Sequence, residues 1–171
     1  MATWIVETGA SLASSNTYLS LASITSWCNE RGLTAWASAA TTAQESALFN
    51  AMDFIEAYEF KGIKTALTQT LKWPRDDCYD EDQFLIAWNT IPQRVKNALC
   101  QACYEEIVSP KCLQPNLSSS DYVTEKTIDV LSWKYSRVIS GTVFQKIEEY
   151  LKPFLVSSKL SSTSMVDTLR V

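Results

Sequence analysis

Residues 69–75 read QTLKWPR, and our interpretation of the chain starts from this stretch. Proline fixes its own φ angle and keeps the preceding residue out of the helical region, which predicts that Trp73 is extended at a rigid turn. The tryptophan can anchor the turn on an apolar core, leaving the guanidinium of Arg75 to bind carboxylates or backbone carbonyls. We therefore expect Trp73, Pro74 and Arg75 to belong to a contact surface. The simpler alternative is a well-packed loop that carries an exposed arginine.

The composition is that of an ordinary globular domain. The chain has 171 residues, of which 46% are hydrophobic and 20% are charged, and this size suits one domain with a sizeable core. No apolar run approaches the roughly 20 residues that span a bilayer, and the N-terminus lacks the pattern of a signal peptide. We expect a cytoplasmic protein without a membrane partner.

The charge balance argues against tight binding to nucleic acid. Fifteen basic and 19 acidic residues give a formal net charge of −4, and the sequence lacks a basic stripe of the kind that neutralises phosphates. Acidic residues cluster within 76–82 without the spacing of a calcium-binding loop, so we interpret them as a solvated acidic turn. The apolar run that follows, Phe84–Trp88, is too short to assign to a helix or a strand.

The sequence offers no catalytic constellation. It contains no histidine, which is the commonest general base, and no nucleophile-elbow or phosphate-loop motif. Five cysteines without a secretory signal predict free thiols. Cys100 and Cys103 share one face of a predicted helix, so we interpret them as core residues, whereas a zinc site would also need Cys78 and Cys112. We expect neither an enzyme nor a cofactor or metal site.

Hydrophobic periodicity predicts a mainly α fold, a bundle of about four to five helices. One helix is predicted over Leu21–Arg31, with Ser20 as its N-cap and Gly32 at its end. Capping boxes at Thr42–Glu45 and Thr90–Gln93 predict the starts of two longer helices, the second running to about residue 108. The predicted core stripes comprise Leu48, Ala51, Met52, Ile55 and Tyr58 in the first of these and Val95, Ala98, Leu99, Ala102, Cys103 and Ile107 in the second.

Two segments read as strands and one as a last helix. Residues 3–7 are rich in strand formers, which predicts a short N-terminal strand, and alternation over residues 123–135 predicts a β-arm or hairpin. A final amphipathic helix is predicted to open at Gly141 and to be limited by Pro153.

The order of motifs along the chain resembles a known family. The series comprises Ile5–Gly9, Asn16–Ala22, Arg31-Gly32 followed by Trp36, the helical run Glu45–Tyr58, Phe60-Lys61-Gly62 and the stretch 69–75. It resembles the head-tail adaptor (connector, or head-completion) proteins of tailed bacteriophages, many of which are labelled DnaT-like single-stranded-DNA-binding proteins. The resemblance covers residues 4–75 well and residues 90–155 more loosely.

The resemblance implies a structural virion protein at the head-tail interface. Its copies would form a homo-oligomeric ring, expected to hold twelve subunits because a phage portal has that symmetry. The partners would be the portal protein and the tail or nozzle proteins, and assembly would take place in the host cytoplasm. Genomic DNA would pass through the channel without sequence-specific binding.

The alternative is a single-stranded-DNA-binding module in which tryptophans and tyrosines stack on bases. We favour the adaptor because the chain is acidic and most of these aromatic residues lie at core-type helical positions.

The C-terminal segment reads as a tail. We divide the chain into one helical domain at residues 1–155 and a flexible tail at 156–171, because six of the eight residues at 157–164 are serine or threonine. We expect the tail to become ordered only on the portal or a neighbouring subunit, or else to be a terminus without a role. Its apolar anchors at this interface would be Met165, Val166, Leu169 and Val171.

Overall fold

The fold is mainly α, as predicted. The structure, a computed structural model, describes residues 3–113, 125–128, 131–134 and 144–156. The α-helices of this part of the chain are α1 (Leu21–Glu30), α2 (Thr34–Ser38), α3 (Thr41–Glu56), α4 (Gln93–Val108) and α5 (Gln145–Leu151), and a 3-10 turn at Lys152–Phe154 follows α5.

Short antiparallel strand pairs complete the fold. Strands β1 (Ile63–Lys64) and β2 (Arg75–Asp76) pair at the base of the loop that contains residues 69–75. Strands β3 (Glu125–Ile128) and β4 (Leu131–Lys134) form a hairpin. The β-arm predicted over residues 123–135 is therefore confirmed within the residues that the structure describes.

Helix α4 is the centre of the bundle. It packs against α3 and α5 most extensively and also against α1 and α2. A helix surrounded in this way needs small or apolar side chains around most of its circumference. The buried residues of α4 are Val95, Ala98, Leu99, Cys100, Gln101, Ala102, Cys103 and Glu106.

The predicted core stripes are confirmed with one exception. All five stripe residues predicted for the α3 region, from Leu48 to Tyr58, are buried. In α4 the predicted residues are buried except Ile107, which is partly buried near the C-terminal end of the helix. The prediction holds because a repeat of three and four residues places side chains on one helical face.

The predicted N-terminal strand is wrong. Residues 3–7 form only an isolated bridge, between Val6 and Thr17. The carboxylate of Glu7 instead accepts hydrogen bonds from the backbone N–H groups of Gly9, Ser11 and Leu12, at 2.8, 3.1 and 2.7 Å. These bonds turn the chain away before a ladder can extend, so strand-forming composition did not produce a strand.

The helix starts differ from the predicted capping boxes. Helix α3 begins at Thr41 with Ala40 as its N-cap, and α4 begins at Gln93 with Pro92 as its N-cap; neither has a side-chain capping bond. Thr42 therefore lies inside the first turn of α3, where its hydroxyl cannot cap. Only α1 begins as predicted, because the Ser20 hydroxyl accepts a 3.2 Å bond from the N–H of Ser23.

The ends of the remaining helices follow the sequence more closely. Gly32 has a φ of +66°, which allows it to end α1 as predicted. The last helix begins at Gln145, and its predicted opening at Gly141 lies outside the described residues. Pro153 lies in the 3-10 turn that ends this helix, as expected. Among the described residues, no helix has the length and apolar character of a membrane span.

Candidate interaction surface

Trp73 anchors the loop that carries residues 69–75. Its side chain is fully buried, and its ring makes edge-on contacts with Phe60 and Phe154 at centroid distances of 5.7 and 5.6 Å. Pro74, which follows in a cis peptide bond, is buried as well. The anchoring role predicted for the tryptophan is thus borne out by its position between two aromatic side chains.

Arg75 ties the two sides of this loop together. Its guanidinium donates to four backbone carbonyls: those of Lys61 (2.6 Å), Lys72 (3.1 Å), Phe60 (3.2 Å) and Gly62 (2.6 Å). Burial lowers the pKa of the guanidinium from its ordinary value. Of the two ligand classes expected for this arginine, the structure therefore selects backbone carbonyls of its own chain.

Gln69 closes the same loop from the other end, a role that the sequence reasoning did not assign. Its amide nitrogen donates to the carbonyls of Leu71 (2.9 Å) and Pro74 (3.0 Å), and its oxygen accepts from the N–H of Ala66 (3.0 Å). Gln69 is only 3% exposed. A glutamine beside a proline turn is the signal that could have indicated this role, because the turn leaves carbonyls that need donors.

A partly buried polar pair attaches the loop to the helices. The Tyr18 hydroxyl donates to the Glu56 carboxylate, which also accepts a 2.9 Å bond from the N–H of Lys72. The same hydroxyl accepts a bond of 3.2 Å from the N–H of Trp73. Burial raises the pKa of Glu56, and burial together with the nearby Glu56 raises the pKa of Tyr18. These contacts fix the backbone of the loop.

A segment with several exposed apolar side chains lies directly after this loop. Residues 78–88, named here the acidic tongue, start from buried Cys78 and return toward buried Ile91. Tyr79 and Leu85 form an isolated antiparallel bridge across the tongue. Its exposed large apolar side chains, with their exposed fractions, are Tyr79 (44%), Phe84 (70%), Leu85 (60%) and Trp88 (58%).

The acidic tongue has a defined backbone. The N–H of Ile86 donates to the carbonyl of Cys78 at 2.8 Å, and the N–H of Asp80 donates to the carbonyl of Phe84 at 3.0 Å. The Asp80 carboxylate accepts bonds from the N–H groups of Asp82 (3.0 Å) and Phe84 (2.9 Å). This side chain thus holds the tip of the tongue in one conformation.

The tongue is also fastened to the helical bundle. Arg94 pairs with Glu81 at 2.8 Å and donates to the carbonyls of Glu149 (2.9 Å) and Tyr150 (3.3 Å). Because α4 contributes Arg94 and α5 contributes the two carbonyls, the position of the tongue depends on both helices. The tongue therefore has a defined position and exposes apolar side chains next to carboxylates.

The residues proposed for an interface from sequence are described only in part. Trp73 and Pro74 lie in the interior, and Arg75 is engaged by the chain's own carbonyls. The tail residues proposed with them, Met165, Val166, Leu169 and Val171, lie outside the described residues. Their interface role stays a prediction.

The family comparison agrees with part of the sequence-based interpretation. Residues 2–171 match a protein-family model described as "Putative DnaT-like ssDNA binding protein". The match spans nearly the whole chain, and the protein belongs to this DnaT-like family. Searches of curated proteins and of solved structures returned no match. The family description names single-stranded DNA and no head-tail role, so the adaptor role stays a prediction.

Proposed function

We propose that this protein is a non-enzymatic structural protein, a head-tail adaptor that assembles between the portal and the tail of a phage virion. The observation that carries the proposal is the acidic tongue, with four exposed apolar side chains on a fixed backbone. Large apolar side chains clustered on a surface mark sites of protein contact, and aromatic residues are common among their energetic centres. The function is thus docking of one protein on another.

The charge at the tongue favours a protein partner over DNA. Asp77, Glu81 and Asp82 are exposed beside the apolar side chains, and carboxylates at this density repel the phosphates of a nucleic acid. In the proposed assembly, twelve copies surround the exit channel and contact the portal and the tail or nozzle proteins. The net charge of −4 per chain would keep the passing DNA from binding tightly to the ring.

Single-stranded DNA binding is the second candidate. The family description favours it, and so do three exposed aromatic side chains, Tyr79, Phe84 and Trp88, on one short segment. Stacking of a base on an aromatic ring contributes about 1–3 kcal/mol. Such platforms ordinarily lie in basic grooves, however, and the acidic residues of the tongue are the opposite arrangement.

The adaptor proposal is tested by the mass of the native complex with the cognate portal protein. A complex that contains a ring of copies on the portal is the expected result. No association at micromolar concentrations of both proteins would contradict the proposal.

The second candidate is tested by the fluorescence anisotropy of a labelled single-stranded oligonucleotide. We expect weak binding at about 150 mM salt, where exposed charges are largely screened beyond about 8 Å. Submicromolar affinity that weakens steeply with salt, and that Trp88→Ala reduces while Phe49→Ala does not, would instead establish DNA binding. Phe49 is the matched control because it is an exposed aromatic residue of α3, outside the tongue.

A further inference from the structure

We propose that the acidic tongue inserts into an apolar groove bordered by lysine and arginine side chains on a different protein. This inference rests on the proposed docking function and names the chemistry of the partner surface. It follows from the two faces of the tongue, from its unpaired carboxylates and from its fixed backbone.

Apolar side chains occupy both faces of the tongue. Tyr79 and Leu85 are opposite each other in the antiparallel bridge, so their side chains share one face. Successive residues of an extended segment alternate between faces, which places Phe84 on the opposite face from Leu85. Phe84 and Leu85 are 70% and 60% exposed. A flat partner would cover only one of these faces, whereas a groove covers both.

The carboxylates near these apolar side chains would be best matched by lysine and arginine side chains at the edge of the partner's groove. Among the described residues, Glu81 has a basic partner in Arg94, whereas Asp82 of the tongue takes part in no salt bridge, and neither do Asp76 and Asp77, which directly precede the tongue in the chain. Complementary charge at the edge of an interface accelerates association and rejects partners of the wrong sign. Two tongues would repel each other for the same reason, so a second copy of this surface is the wrong occupant.

The fixed backbone reduces the entropic cost of insertion. The Asp80 carboxylate already holds the N–H groups of Asp82 and Phe84, and the Arg94–Glu81 pair already fastens the tongue to α4. A segment that is ordered before binding does not lose that freedom on binding. The tongue can therefore dock without refolding.

The test uses three labelled synthetic helical-hairpin peptides as probes, each with a groove between its two helices: one of leucine and lysine, one of leucine and glutamate, and one of serine and lysine. We expect the full-length protein to bind the leucine–lysine peptide only, and to bind it about tenfold more weakly when high salt shortens the screening length to about 3 Å. Comparable binding of the leucine–glutamate or the serine–lysine peptide would overturn the proposal.

Paired variants assign the binding to the tongue. Asp82→Lys and Trp88→Ser should each weaken peptide binding by about tenfold or more, as expected for a charge reversal and the loss of an aromatic contact. Asp53→Lys and Leu67→Ser are the controls, because both residues are exposed and lie outside the tongue. Thermal melts establish that all four variants are folded. Tongue variants that bind like the wild type, or controls that lose as much affinity, would overturn the proposal.

Two further measurements separate this inference from the proposed function. Portal binding that is intact in Asp82→Lys and Trp88→Ser would overturn the role of the tongue and leave the adaptor function standing. Specific binding of the leucine–lysine peptide without any portal binding would overturn the adaptor function and leave the role of the tongue standing. Self-association that sedimentation detects in the wild type and that Trp88→Ser abolishes would assign the tongue to a second copy, which also overturns the proposal.

Discussion

At the scale of single residues, the loop at 69–75 is held by Arg75 and Gln69, whose partners are mainly backbone groups, together with the Thr65 hydroxyl, which donates to the Gln69 oxygen at 3.0 Å. Arg75 and Gln69 donate to carbonyls from both sides of the loop, while the Gln69 oxygen accepts an N–H. A proline turn cannot pair these carbonyls within a helix or a sheet, and a buried carbonyl without a donor is costly. The five donors of a guanidinium meet this need in a way that the single ammonium of lysine cannot.

Arg75→Ala should destabilise the folded monomer, because it removes four bonds to carbonyls at once. Hydrogen bonds to charged groups contribute about 1.5–3 kcal/mol, and we expect a loss of at least this size. Urea unfolding measures it, with Lys146→Ala, an exposed lysine of α5, as the control. From the sequence alone we expect Arg75→Ala to leave the monomer folded and to weaken assembly. The four carbonyl contacts add the expectation that the folded monomer is also less stable.

Trp73→Ala is expected to cost more than Arg75→Ala. Removing a fully buried tryptophan leaves a cavity between Phe60 and Phe154, and such substitutions typically cost about 3–5 kcal/mol. If Arg75→Ala lost as much stability as Trp73→Ala and still docked on the portal, the predicted interface role of Arg75 would be wrong.

At the scale of helices, the three long helices differ in how they begin. Ser20 caps α1 through its hydroxyl, whereas Ala40 and Pro92 precede α3 and α4 without any side-chain capping bond. Burial of Ile91, which is 4% exposed, helps to fix the chain at the entry to α4. Tertiary packing thus takes the place of a side-chain cap at the start of α4.

Ser20→Ala should destabilise the protein, whereas Thr42→Ala should be nearly neutral. Loss of an N-cap typically costs about 1 kcal/mol, and the Ser20 hydroxyl accepts a bond from the Ser23 N–H and forms another with the Ser23 hydroxyl. Thr42 is an exposed residue of the first turn of α3. Urea denaturation of both variants measures the difference. If both variants lost the same free energy of unfolding, the predicted capping role of Thr42 would be supported.

The contact between α1 and α4 contains buried thiols that should make stability depend on pH. Burial raises the pKa of Cys28 to about 11 and that of Cys100 to about 12, from an ordinary value of 9.0. The native state therefore holds these protons more tightly than the unfolded chain does. The contribution of these two thiols to the free energy of unfolding is full below about pH 9 and is lost as the pH rises through their native pKa values.

Replacement of Cys100 by alanine should make this fall with pH less steep. The free energy of unfolding, measured in urea from about pH 7 to pH 10.5, is expected to decline more in the wild type than in Cys100→Ala. A Ser26→Ala variant, at an exposed position of α1, is the control. Parallel pH profiles of the wild type and Cys100→Ala would contradict the prediction.

At the scale of the whole molecule, the C-terminal part of the described chain completes the core around the loop at 69–75. Phe154 packs on Trp73, and Leu155 forms an isolated bridge with Phe60. Helix α5 packs along α4, and both Phe154 and Leu155 are buried. The loop therefore depends on residues that are about 80 positions away in the sequence.

Deletion of residues 157–171 should leave the thermal transition of the monomer unchanged and weaken association with the portal. The deletion retains α5 and the buried Phe154 and Leu155, and serine-rich segments contribute little burial to offset the backbone entropy of about 1–2 kcal/mol per ordered residue. Deletion of residues 152–171, which removes both buried side chains, is the contrasting variant and should lower the transition. Undiminished portal association of the first deletion would show that the tail has no docking role.

The sequence by itself determined the helical character of the protein, the core stripes of α3 and α4, the cap of α1 and the hairpin. Each depends on spacing within a single segment, because the repeat of a helix and the alternation of a strand place side chains by local geometry. Ser20 illustrates this well, since its partner is only three residues away. The anchoring of Trp73 could be predicted for a similar reason, because an adjacent proline limits what the chain can do there.

Only the tertiary structure decided the partners of Arg75 and the exposure of the tongue. The carbonyls that Arg75 binds include those of residues 60–62, and their approach depends on how β1 and β2 pair. The sequence around Phe84, Leu85 and Trp88 would look the same if these side chains were buried in a core. The apolar run is also too short for its periodicity to show which side chains are exposed. These three side chains are exposed because the chain is buried at Cys78, where the tongue begins, and again at Ile91, three residues after it ends, which leaves the segment between them outside the bundle. Burial depends on which elements meet, and a local pattern does not contain that information.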